Sequence, residues 1–316
     1  MTPVPNPSPR GETVTTPPAL LIAGHGTRDD AGAEAFRDFV RELGRRHPGL
    51  PVAGGFIELS PPPLGDAVAE LVERGVRRFA AVPLMLVSAG HAKGDIPAAL
   101  AREKERHAGI SYTYGRPLGP HPALLRVLER RLAEAMDPSW DPAGVTVLLV
   151  GRGSTDPDAN AEVFKAARLL WEGRGYAGVE TAFVSLARPD VPGGLERCAR
   201  LGAERIVVLP YFLFTGILPD RVRFQTEEWA AAHPGTAVRS ADVIGPEPEL
   251  LDLVWERYEE AVGGDLRMNC DSCVYRIALP GFEDKVGAPQ QPHFHPDDDG
   301  HHHHGHGHGH VHSHAH

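Results

Sequence analysis

The chain has 316 residues, is 41 % hydrophobic and 23 % charged, and carries a net charge of −10. That length accommodates two domains, each able to bury a core. The acidic balance argues against a nucleic-acid partner, whose affinity would rest on clustered Lys and Arg.

Three cysteines do not make a secreted disulfide framework, which points to a reducing compartment. No run of about 18 apolar residues is present, so no membrane span is expected. Residues 1–18 hold six prolines and no apolar core segment, so they read as a disordered leader rather than a signal peptide. The expected location is the cytoplasm.

In the first half, short apolar runs predict strands at Ala19–Ala23, Val52–Ile57, Phe79–Val82 and Ile110–Tyr112. Helical periodicity predicts helices at Ala31–Arg46, Leu64–Arg74, Ile96–His107 and Pro122–Met136. The second half repeats the order. Its strands are expected at Thr146–Val150, Val179–Ser185, Arg205–Leu209 and Ala237–Ser240, and its helices near Ala159–Arg174, Val191–Leu201, Arg221–Ala232 and Glu247–Val262. Apolar strands alternating with amphipathic helices predict an α/β fold, here two similar doubly wound parallel-sheet domains. The expected division is 19–140 and 141–262, joined through the Pro/Gly-containing segment 137–144, with residues 263–316 as a separate tail.

The halves are copies. Residues 21–27 (LIAGHGT) return as 148–154 (LLVGRGS), 54–62 as 181–189, and 77–91 as 204–218. The offset is constant, because 152−25, 185−58 and 218−91 all equal 127, as expected of one duplicated folding unit. The polar positions do not survive the copying. His25 matches Arg152, Glu58 matches Ser185, and His91 matches Leu218. Side chains required by the fold would be needed twice, so these three read as one site held in the first half only.

Each of the three follows a predicted strand, and in a parallel sheet those loops open on the same edge. Two imidazoles and a carboxylate suit a borderline divalent metal such as cobalt, iron, nickel or zinc, and can also accept protons near neutral pH. Blander roles compete for each residue taken singly. His25 could be a solvated or capping residue, Glu58 a helix-start carboxylate before Leu64, and His91 an incidental loop residue. A phosphate-loop reading of residues 24–28 is disfavoured, because Asp29 stands where glycine is needed.

These segments resemble the sirohydrochlorin chelatases, the class II chelatases of the CbiX type. The resemblance rests on GHGT (24–27), GFIELSPP (55–62) and PLMLVSAGHAKGD (83–95), and covers residues 19–262 in duplicated form. It implies insertion of cobalt, or iron in related enzymes, into sirohydrochlorin or a reduced precursor. It also implies that His25 and His91 bind the metal and accept protons while Glu58 assists. The second half, lacking all three, would close the cleft over the macrocycle. A substrate bearing many carboxylates calls for cationic rim residues, and Arg28, Lys93, Arg116 and Arg152 are the loop-placed candidates.

The tail adds Met268, Cys270 and Cys273, an M-x-C-x-x-C motif that in the long form of this family is associated with an iron–sulfur centre. Two thiolates do not complete an ordinary four-ligand set, so a shared cluster would imply a homodimer unless further ligands come from elsewhere. Zinc capture and a redox pair are the rival uses of this spacing. Cys198, in a helical pattern, is expected to be a small core residue. Twelve of the 18 histidines lie at or after His293, in a Gly/His alternation suited to gathering cobalt or nickel. Two other classes stay open on sequence grounds: a metal storage or delivery protein, and a two-domain solute-binding protein disfavoured by the missing export signal.

Overall fold

In a computed structural model, the structure describes residues 16–264, 275 and 283–288. The first sheet comprises β1 (Ala19–Gly24), β2 (Val52–Phe56), β3 (Arg78–Pro83) and β4 (Ser111–Tyr114), in the order β2-β1-β3-β4. The second comprises β5 (Thr146–Gly151), β6 (Gly178–Phe183), β7 (Arg205–Pro210) and β8 (Ala237–Ser240), in the order β6-β5-β7-β8. All pairings are parallel, so both sheets need helices on both faces.

The helices of the first half are α1 (Asp30–Arg46), α2 (Leu64–Glu73), α3 (Ile96–Arg106) and α4 (Pro122–Ala135). Those of the second are α5 (Pro157–Trp171), α6 (Val191–Arg200), α7 (Ile217–Ala232) and α8 (Pro248–Gly263). Side chains alternate across each strand. In β1, Leu21 and Ala23 pack outward with α2 and α3, while Leu20 and Ile22 face the middle of the molecule. The same alternation in β5 sends Leu148 and Val150 outward and Val147 and Leu149 inward.

The inward faces share one hydrophobic core, because the last helices are exchanged. Helix α8, from the end of the second half, packs on β3 and β4 of the first sheet, whereas α4 packs on β7 of the second. Polar ties run across the same interface. Arg257, 1 % exposed, donates to the Pro117 and Leu118 carbonyls at 3.3 and 3.0 Å, and Tyr258 Oη donates to the Pro18 carbonyl at 2.6 Å. Arg130 pairs with Glu247 and Glu249, each at 2.9 Å. The repeat boundary near residue 141 thus marks where the sequence restarts, while the packing crosses it.

The two halves also keep one loop design. Gly26 and Gly153 have φ of +104° and +90°. A Cβ there would lie 1.7 Å from the Glu58 carbonyl oxygen or 1.8 Å from that of Ser185. Leu59 and Leu186 both adopt left-handed backbone, at φ +65° and +59°. The backbone N–H of Glu58 donates to the His25 carbonyl at 3.1 Å, and that of Ser185 to the Arg152 carbonyl at 2.9 Å. Backbone geometry was therefore kept where the polar side chains were lost. Gly26→Ala and Gly153→Ala should each cost about 2 kcal/mol or more in urea unfolding, since both combine positive φ with a backbone clash. A neutral Gly153→Ala would show that its loop is not held in this way.

Candidate metal and tetrapyrrole site

The carboxyl ends of β1, β2 and β3 bring His25, Glu58 and His91 together. One ligand atom from each lies within 4.8 Å of the others. His25 Nε2 is 3.5 Å and His91 Nε2 3.9 Å from Glu58 Oε1. The two imidazoles meet edge to face, with centroids 4.4 Å apart.

Hydrogen bonds on the far nitrogens set the tautomers. His25 Nδ1 lies 3.0 Å from the Gly26 carbonyl, an acceptor, so Nδ1 carries the proton. His91 Nδ1 lies 2.6 Å from Asp95 Oδ2 and donates to it. Both Nε2 lone pairs are thereby directed to the side where Glu58 Oε1 stands. Burial of His91, whose side chain is 8 % exposed, pushes its pKa below the ordinary imidazole value, against the opposing pull of the Asp95 and Glu58 carboxylates. The net downward shift keeps His91 neutral at neutral pH, the form that offers a lone pair.

His91 does not sit in a loop, as expected from the sequence. It opens a π-helical turn, His91–Asp95, that runs directly into α3. That turn places Asp95 against the imidazole. Asp95 escaped the sequence reading, although its i,i+4 spacing from His91 was a usable signal. Glu58 is not a helix-start residue, since α2 is preceded by Pro63 and has no side-chain cap. Asp29 caps α1 by accepting from the Gly32 N–H at 2.6 Å, so a carboxylate occupies the place a phosphate would need.

A cleft of about 430 Å³ opens beside the cluster, lined by both halves. Its walls include Phe36, Phe56, Leu84 and Met85 from the first half and Val163, Tyr211, Leu213 and Phe214 from the second. Its charged lining residues are Arg28, Arg152 and Arg221. Arg221 was absent from the expected set because it lies in the first turns of α7, which begins four residues before its predicted start.

Two expected rim cations are placed otherwise. Lys93 is drawn to the second half, where its Nζ lies 2.7 Å from Asp156 and 2.9 Å from Asp158, and its side chain is 7 % exposed. Arg116 forms a two-pronged pair with Glu260 on α8, at 2.9 and 2.7 Å, and does not line the cleft. Both charges tie the halves together instead of facing the opening.

Cys198 is fully buried in the outer core of the second half, and burial pushes its thiol up to about 12. Met268, Cys270, Cys273 and the histidine run from His293 lie outside the described residues, as do residues 1–15. Among the described residues, no helix is long and apolar enough to cross a membrane.

The chain is similar to known chelatases in sequence and in fold. A sirohydrochlorin cobaltochelatase of Priestia megaterium is 38 % identical over 265 residues, covering 83 % of this chain and 85 % of that protein. A sirohydrochlorin ferrochelatase of the same organism is 34 % identical over 213 residues, covering 66 % and 78 %. The structure of SirB from Bacillus subtilis with Fe3+ superposes with a TM-score of 0.68 at 27 % identity, covering 79 % of this chain and 97 % of SirB. The CbiX family model matches twice, at residues 19–135 and 146–261, and the chain belongs to that family in duplicated form.

Proposed function

We propose that this protein is a sirohydrochlorin cobaltochelatase, inserting divalent cobalt into the macrocycle from the His25–Glu58–His91 cluster. The observation that carries this is the convergence of two imidazole Nε2 atoms and one carboxylate oxygen beside a cleft built by both halves. The more extensive of the two curated matches described above, to a cobaltochelatase, favours cobalt. Iron insertion is the second reading, favoured by the ferrochelatase relative and the iron-bound neighbour.

Insertion exchanges one metal ion for two pyrrole protons. The cluster suits both sides of that exchange. Two neutral imidazoles and a carboxylate hold the ion with few ligands, which leaves coordination positions for ring nitrogens. As the ion passes to the ring, the Nε2 lone pairs are released and can accept the departing protons. Asp95 keeps the His91 proton on Nδ1, so that Nε2 stays available. The apolar walls would take the ring faces, while Arg28, Arg152 and Arg221 would meet its carboxylates. The second half supplies wall and charge, and the first half supplies the ligands.

The tail adds two features to this reading. Cys270 and Cys273 give two thiolates, and Cys198 is too deeply buried to give a third. A four-thiolate iron–sulfur cluster would therefore join two chains, and would supply a redox-active centre. The histidine run would raise the local concentration of cobalt or nickel.

His91→Ala should remain folded and lose about a hundredfold or more in chelation rate, while Asp95→Asn should lose about ten- to a hundredfold. Near-wild-type turnover by folded His91→Ala would rule out the assignment. Anaerobic iron–sulfide reconstitution should colour the full chain and produce a dimer, and a colourless monomer would remove the cluster. A chain ending at Ala288 should need more cobalt for half-maximal rate yet reach the same turnover. Complete loss of activity would contradict the gathering role.

A further inference from the structure

The His25–Glu58–His91 cluster is a partition between two cavities. On one side is the cleft between the halves, which His25 and His91 line and Glu58 does not. On the other is a second cavity of about 910 Å³ between α2 and α3, which Glu58 and His91 line and His25 does not. Only His91, of the three, belongs to both walls.

The two cavities differ in charge. Among the described residues no carboxylate lines the cleft, and its charged lining residues are three arginines. The second cavity is lined by Glu58, Asp66, Asp95 and Glu103 against Lys93, Arg102 and Arg106. Two of those cations are already matched, Lys93 by Asp156 and Asp158, and Arg106 by Glu103 at 2.7 Å. Among the described residues, four carboxylates thus line it against three cations, one of which, Lys93, is engaged by carboxylates from outside the lining, so the described lining is acidic on balance.

A polyanionic macrocycle and a divalent cation are attracted to opposite linings. The macrocycle, once seated, also covers the cleft side of the cluster. We propose that the metal enters through the acidic vestibule between α2 and α3, is taken up on the Glu58–His91 edge, and leaves from the His25–His91 edge to the ring. This rests on the metal-site reading above and adds to it a direction of transit. Tyr275 and Ala288 complete the vestibule wall.

The test is stopped-flow association of Co²⁺ with the tetrapyrrole-free full chain, followed at the visible absorption of bound cobalt. The phase of interest is the one that disappears in His91→Ala, which separates the cluster from the tail. Asp66 and Arg102 are both exposed, so their charges can be reversed without burdening the core. Asp66→Lys should slow that phase by roughly threefold or more and Arg102→Glu should accelerate it similarly, both effects fading with added salt. Arg28→Glu, in the cleft, should change it less than either. The route is overturned if Arg28→Glu accelerates the phase as much as Arg102→Glu does, or if the two vestibule variants leave it unchanged. If no phase depends on His91, the metal-site reading fails first, and the route falls with it.

Discussion

The exchange of α4 and α8 between the sheets is the constraint on which the cleft depends. Each sheet is parallel and cannot leave a face bare, yet neither half covers its own inner face with its last helix. The two halves therefore bury a single inner core, and their relative placement is fixed by packing. Ion pairs between the halves follow the same path. Arg116 reaches Glu260 on α8, and Lys93 reaches two carboxylates at the start of α5. A cleft held in this way presents a fixed spacing between the ligand-bearing loops and the opposite wall.

Within that frame, the chemistry depends on directing three side chains without saturating them. The Gly26 carbonyl and the Asp95 carboxylate orient the two imidazoles from behind. The backbone link from Glu58 to His25 fixes the loops that carry them. A closed tetrahedral set would retain a metal, whereas three ligands with open positions can pass it on. The second half keeps the backbone of these loops but places Arg152 where His25 stands in the first. Under the proposed function, that substitution puts a cation on the facing wall where the first half has a metal ligand, so one folding unit would serve two roles.

Much of this was legible in the chain. The alternation of strands and helices followed from apolar periodicity, and the grouping of His25, Glu58 and His91 from comparing the copies, because a duplicated fold separates structural positions from chemical ones. Helix exchange was not legible, since periodicity says that a face is apolar and not which sheet covers it. Lys93 and Arg116 were misplaced for a related reason: a lone charge in a loop does not reveal its partner, and both partners lie in the other half. His91 was expected in a loop because it falls between the third predicted strand and the helix predicted from Ile96, and a π-helical turn has no local signature to set against that. Asp95 went unnoticed with that turn, although its spacing from His91 is helical.

The central claim is that the cluster delivers a metal ion into a tetrapyrrole. Its most direct test is an absorbance-monitored insertion assay with anaerobically purified protein, sirohydrochlorin, and Co²⁺ or Fe²⁺ supplied separately. The account predicts catalysed insertion with both halves intact, faster with Co²⁺ than with Fe²⁺. No rate above the uncatalysed background with either metal would contradict it and leave a metal-binding protein on a chelatase scaffold.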